Sequence, residues 1–150
     1  MNPSISIMVN NSLVLALLDT GASVSLIREE LVTPQLRYMG SFKKGVFDAT
    51  GNLLPVIGEL KVRLVTPEGV IYDRIIVFKN VQEIKFDVLI GMNILGRSRM
   101  DFEGKQVAFE RTDQVDKGDE GHVELRIMSG RIIDKPGRYI TRGIYVQLEN

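Results

Sequence analysis

Asp19 is the first residue whose type and position indicate chemistry, because it ends an apolar run. The run Leu13–Leu18 stops at this carboxylate, and Thr20 and Gly21 separate it from a second apolar stretch, Val24–Ile27. A short apolar run that ends at a glycine turn is typical of a buried strand that delivers an acid to a tight loop. An ionised carboxylate in apolar surroundings is costly. We therefore expect Asp19 either to accept hydrogen bonds from loop amides or to share a proton with a second acid.

The composition excludes several other kinds of chemistry. The chain has no Cys and one His, which excludes disulfides, thiolate catalysis, cysteine-ligated zinc and a His-rich metal site. Ser23 is not a candidate nucleophile, since no His lies near it in the sequence to activate it. Nineteen basic and nineteen acidic residues leave no net charge, so neither a nucleic-acid partner nor a membrane surface is expected. We expect no metal and no cofactor.

Alternating apolar and polar residues predict strands along most of the chain. The predicted hairpins are residues 4–9 with 12–18, residues 56–65 with 70–78, and residues 100–109. Asp73 and Asp87 are acids on or beside these strands, but neither is followed by Thr-Gly or Ser-Gly. We assign both to structure, and expect Asp87 to anchor a loop or to pair with a basic residue.

Two segments together resemble one protein family. Asp19-Thr20-Gly21-Ala22-Ser23, after an apolar strand, resembles the active-site loop of aspartic proteases. Phe86–Leu95, about seventy residues later, resembles the apolar strand, glycine and short helix that close retropepsin domains. The resemblance is to a single retropepsin-like domain of the retroviral or gypsy-like LTR retrotransposon type. It implies an all-β fold, a single-lobe closed β-barrel of the acid-protease type with one short C-terminal helix.

The resemblance also implies a homodimer. Peptide hydrolysis by this chemistry uses two carboxylates that share one proton, and this chain has one Asp-Thr-Gly. A second Asp19 must then come from another copy, with the site on the two-fold axis. In relatives the hydroxyl equivalent to Thr20 bonds across the dimer. Gly21, Ala22 and Ser23 are expected to support the loop, Gly21 by letting its amide approach the carboxylate.

Other predicted site residues come from the order of the segments. The sequence predicts a turn between apolar segments over Phe47–Leu54, at the place where relatives carry the flap that folds over the substrate. The alternative for this turn is an ordinary hairpin tip. The flap candidates are Ala49, Thr50, Gly51 and Asn52, and the pocket or support candidates are Ile27, Ile90 and Gly91.

We divide the chain into three parts. Residues 1–110 are the predicted protease domain, the charged residues 111–122 a linker, and residues 123–150 a β-rich C-terminal extension. The extension is weakly similar to a fragment of dUTPase-like β domains, but lacks that enzyme's catalytic motifs. A β segment that packs on the protease domain or contacts a partner is the alternative that we favour.

The predicted function is an aspartic endopeptidase that acts as a homodimer on extended peptide segments, with its own polyprotein as the natural substrate. Asp19 is the predicted catalytic residue. The alternative is a catalytically silent, domesticated dimerisation or scaffold module with the same fold. The sequence shows neither a signal-peptide pattern nor a long apolar run, so we expect a cytoplasmic protein or one inside a virus-like particle.

Overall fold

A computed structural model describes residues 2–33, 38, 44–48, 50–113, 121–135 and 145–148 of the chain. Strands dominate these residues. The strands are β1 (Asn2–Val9), β2 (Ser12–Leu18), β3 (Leu26–Arg28), β4 (Lys44–Phe47), β5 (Val56–Thr66), β6 (Gly69–Phe78), β7 (Val88–Ile90), β8 (Ser98–Asp101), β9 (Gln106–Phe109), β10 (Thr112–Asp113), β11 (Val123–Ile127), β12 (Ile133–Lys135) and β13 (Tyr145–Leu148). The helical elements within these described ranges are a 3-10 turn, Glu29–Leu31, and one helix, α1 (Met92–Leu95).

Seven strands close into a barrel, in the order β6, β3, β7, β2, β1, β11, β5 and back to β6. The long β5–β6 hairpin completes the ring, with Leu64 opposite Ile71 and Leu60 opposite Ile75. Alternate residues of β5 point inward because side chains in a strand alternate between its two faces. The predicted all-β, single-lobe closed barrel with one short helix is confirmed.

The predicted hairpins follow their local patterns. β1 and β2 pair antiparallel across Asn10 and Asn11, which both adopt positive φ, and β8 pairs with β9. Both Asn residues tolerate this backbone conformation better than most residue types. The sequence pattern therefore located these turns correctly.

β11 is a stave of the barrel. It lies between β1, to which it is antiparallel, and β5, to which it is parallel. Val123, Leu125 and Ile127 point into the main core and are at most 4% exposed. Part of the predicted extension thus completes the ring of strands, while the division at residue 110 stays a prediction. Most of the predicted linker, residues 114–120, lies outside the described residues.

The described residues form two apolar clusters. The larger lies inside the barrel and includes Ile5, Leu60, Leu125 and Ile90. The smaller brings together Leu17, Ala22, Val46, Phe78 and Leu89. It joins β4 to the strands that hold the Asp19 loop. No helix among the described residues is long and apolar enough to cross a membrane.

Candidate active site

The Asp19 loop begins where β2 ends. β7 lies between β2 and β3, parallel to β2 and antiparallel to β3, so the chain passes over the end of β7 as it runs from one strand to the other. Leu18 is in register with Ile90, and the Asp19 N–H continues the ladder by donating to the Ile90 carbonyl at 3.0 Å. The buried ends of β2 and β7 therefore fix the backbone of Asp19.

The loop itself is tight and hydrogen-bonded. The Gly21 N–H donates to Asp19 Oδ1 at 2.8 Å, and the Ala22 N–H donates to the Asp19 carbonyl at 3.2 Å. Asp19 is 8% exposed, whereas Thr20 and Gly21 are exposed at the tip. A hydrogen bond from a loop amide to the Asp19 carboxylate is what we expect of a buried acid in this loop. It orients the side chain.

Gly91 allows the second signature segment to approach the loop. A Cβ at this position would lie 2.0 Å from the Val24 carbonyl oxygen and 2.9 Å from that of Ala22, both of them backbone atoms. The Met92 N–H then donates to the Ala22 carbonyl at 2.7 Å. Only glycine permits this contact, so residues 91 and 92 brace the loop from behind.

A chain of polar side chains extends this brace. The Gly91 N–H donates to Ser25 Oγ at 3.0 Å, and Ser25 Oγ donates to Asn93 Oδ1 at 2.7 Å. Asn93 Nδ2 donates to Asp73 Oδ1 at 3.0 Å, and Asp73 in turn pairs with Arg97. Ser25 is fully buried. The chain links the Asp19 loop, α1 and β6, three segments that are far apart in sequence.

Arg28 holds the segment that leads into β7. It is 6% exposed, and its guanidinium donates to the carbonyls of Ile84 at 2.6 Å and Phe86 at 2.7 Å. Its Nε pairs with Asp87 at 3.2 Å, and its guanidinium carbon lies 5.0 Å from the centre of the Phe78 ring. Asp87 is therefore a structural acid that pairs with a basic residue, as expected. A buried arginine with this many partners fixes a loop that lacks regular structure.

The 48–52 turn follows β4. Asp48 Oδ1 accepts hydrogen bonds from Thr50 Oγ1 at 2.6 Å, the Thr50 N–H at 2.9 Å and the Asn52 N–H at 3.0 Å. These bonds, led by the Thr50 hydroxyl, lower the pKa of the Asp48 carboxyl below its ordinary value. Gly51 has a φ of +86°, which suits glycine. Ala49, the fourth flap candidate, lies outside the described residues.

The structure brings some of the predicted site residues together. Backbone hydrogen bonds join Asp19 to Ala22 and Ile90, and Gly91 lies against the backbone of Ala22. Ile27 and Ile90 are at most 1% exposed in the main core. Ser23 is exposed on the loop, and Thr50, Gly51 and Asn52 are exposed on the turn. Within the described ranges, no cluster of His, Cys, Asp or Glu side chains has the composition and spacing to hold a metal ion.

The sequence pattern does not identify the bracing residues Ser25, Asn93 and Arg28, and it indicates a structural role for Asp73 without indicating its partner. Ser25 and Asn93 lie 68 positions apart, and Arg28 and Phe86 lie 58 apart. One signal lies in Arg28 itself, a charge that directly follows the apolar stretch Val24–Ile27. Such a residue is rarely buried unless it is paired.

Comparisons with known proteins give the chain a family. The family model for retroviral aspartyl proteases matches residues 1–105, a span that contains the Asp19 loop, the 48–52 turn and the Gly91 segment. The crystal structure of the retroviral protease-like domain of Ddi1 from Leishmania major is 15% identical, with a TM-score of 0.49, and the match covers 83% of this chain and 96% of that chain. No curated protein sequence matches the chain. On the family match, this chain belongs to the retroviral aspartyl protease family.

Proposed function

We propose that the protein is an aspartic endopeptidase that acts as a homodimer. The observation that carries the proposal is the state of Asp19. The end of a buried strand presents this carboxylate, a loop amide orients it, and it is braced by a glycine contact that admits no side chain. This arrangement holds an acid in one position, which is what general acid and base catalysis requires.

In the proposed dimer, two Asp19 carboxylates face each other across the two-fold axis. Ionising both of two adjacent carboxylates is energetically costly, because like charges repel, so the pair holds one proton. The ionised carboxylate takes a proton from a water molecule as that water attacks the scissile carbonyl. The protonated carboxyl donates to the carbonyl oxygen. Thr20 is exposed at the loop tip, where its hydroxyl is available to bond to the partner copy.

The proposed substrate is an extended peptide that lies between the 48–52 turn and the Asp19 loop as an added strand. A polyprotein that contains this chain is the proposed natural substrate. The base of the turn supports this placement. Val46 in β4 is fully buried in the same cluster as Leu17 and Ala22, which belong to the strand and loop that carry Asp19.

Cleavage of a mixed peptide library, at mildly acidic and at neutral pH, tests the proposal. The wild type and the Asp19→Asn and Asp101→Asn variants are compared at matched concentration, with pepstatin as inhibitor. We expect cutting by the wild type and by Asp101→Asn, whose exposed side chain bonds in the β8–β9 turn. We expect no cutting by Asp19→Asn or in the presence of pepstatin.

The alternative proposal is a dimerisation or scaffold module without catalysis. The braced loop serves such a module as well, because Gly91 and Ser25 stabilise the fold whether or not Asp19 reacts. A stable dimer, seen by sedimentation, that cuts no peptide at either pH would favour this alternative and contradict the protease.

A further inference from the structure

β4 has two edges, and one of them pairs with residues 52–54, which follow the 48–52 turn. The Leu54 N–H donates to the Val46 carbonyl at 2.8 Å, and the Asp48 N–H donates to the Asn52 carbonyl at 3.0 Å. Backbone groups of successive residues in a strand point to opposite edges. Gly45 and Phe47 therefore direct their N–H and C=O groups to the other edge of β4.

The C-terminal strand β13 covers that second edge. β13 is antiparallel to β4, with Tyr145 opposite Phe47, Val146 opposite Val46 and Gln147 opposite Gly45. In an antiparallel pair, opposite residues either exchange both hydrogen bonds or exchange none. It follows that Tyr145 and Gln147 turn their backbone groups toward β4, and that Val146 turns its groups away.

We propose that this edge of β4, formed by Gly45 and Phe47, is a docking edge for an extended peptide, and that residues 145–148 occupy it in cis. The occupant follows from the register, which places a segment of this same chain on the edge. Backbone pairing at a strand edge accepts many sequences and can be replaced by another strand. The C-terminal segment is therefore a built-in competitor of any peptide that pairs with β4.

The effect of this competition on activity follows from the position of the edge, and it rests on the proposed function. Phe47 directly precedes the 48–52 turn, against which the substrate strand is proposed to lie. The hairpin already uses the backbone groups of Val46, so a substrate that pairs with β4 needs those of Gly45 and Phe47. Residues 145–148 must then leave before such a substrate can pair there, which makes the C-terminal strand autoinhibitory.

Two proline variants of the full chain test the docking edge without reference to activity. Proline removes a backbone N–H, which matters at Gln147, where the N–H faces β4, and is tolerated at Val146, where it faces away. The measurement is amide hydrogen exchange at Gly45 and Phe47. We expect Gln147→Pro to speed exchange at both amides at least about tenfold, and Val146→Pro to leave them close to wild type.

A labelled peptide with the sequence of residues 143–150 provides the second measurement. It should bind Gln147→Pro, whose edge is vacated, at least about tenfold more tightly than it binds the wild type, whose edge is filled. Equal exchange in the two proline variants, or equal peptide binding by Gln147→Pro and wild type, would overturn the docking edge.

Activity separates this inference from the proposed function. If the wild type cuts peptides, Gln147→Pro should show a lower KM with kcat little changed, and the labelled peptide should inhibit it competitively. An unchanged KM in an active Gln147→Pro would overturn autoinhibition. If no variant cuts while the exchange and binding results hold, the protease proposal fails and the docking edge stands.

Discussion

Ser25 holds two parts of the candidate site at once. Its buried hydroxyl accepts the Gly91 N–H and donates to Asn93, so it ties the Asp19 loop to α1. Hydrogen bonds from such neighbours hold the loop in one conformation, and the loop in turn fixes the position of Asp19. At the residue scale, the bracing side chains are as much a part of the site as the acid.

We predict that Ser25→Ala destabilises the protein by about 1–3 kcal/mol, because it leaves the buried Gly91 N–H without its acceptor. Urea unfolding followed by circular dichroism measures the change. The control is Ser23→Ala on the exposed side of the same loop, which should stay within about 0.5 kcal/mol of wild type. Equal effects of the two substitutions would contradict the assigned role of Ser25.

Asp48 makes the 48–52 turn sensitive to acid. Its pKa is lowered in the folded protein, so its contribution to stability is complete above the ordinary value of about 4 and is lost as pH falls through the lower folded value. We predict that the amide NMR signals of Thr50 and Asn52 shift with a midpoint below about pH 4. Asp48→Asn should abolish this step, and a midpoint at or above the ordinary value would contradict the prediction.

The sequence identifies the candidate catalytic acid but not its supporting residues, for a physical reason. Asp19 is recognisable from its local sequence, because it is a charge at the end of an apolar strand and is followed by Thr-Gly. Ser25, Asn93 and Arg28 gain their roles from partners more than fifty residues away, such as Asn80, 52 positions from Arg28. No local pattern encodes such a partner.

At the scale of elements, β11 shows a similar limit. Its alternation of Val123, Leu125 and Ile127 predicted a strand with one buried face, and that strand is present. Its neighbours were not predictable, because it pairs with β5, which is far from it in the sequence. Val123 is in register with Val62. Hairpins such as β1–β2 were predictable because the pairing follows from the turn that joins the strands.

We predict that Leu125→Ala lowers the free energy of unfolding by about 2–5 kcal/mol, as expected for a cavity in a packed core. Leu125 is fully buried inside the barrel. Arg126→Ala, at an exposed position of the same strand, is the matched control and should change stability by less than about 1 kcal/mol. If Leu125→Ala were equally mild, residues 123–127 would not be a stave of the barrel.

At the scale of the whole molecule, the number of Asp-Thr-Gly loops in each chain determines how the proposed enzyme must assemble. One chain contributes one Asp19 loop, so half of the proposed site lies on each copy. We predict that activity per chain rises with protein concentration until the dimer saturates, because association is governed by mass action. Dilution assays with sedimentation at the same concentrations check this. Constant activity per chain across the monomer–dimer transition would contradict it.

Mixing the wild type with Asp19→Asn tests the shared site most directly. Wild-type protein is held at a concentration where dimers are complete, the variant is added, and native mass spectrometry follows the formation of mixed dimers. If both Asp19 carboxylates are needed, the rate per wild-type chain falls to about half at equal amounts, because half of the wild-type chains then pair with the variant. A rate per wild-type chain that stays constant while mixed dimers form would show that one Asp19 is sufficient and would contradict the two-carboxylate site.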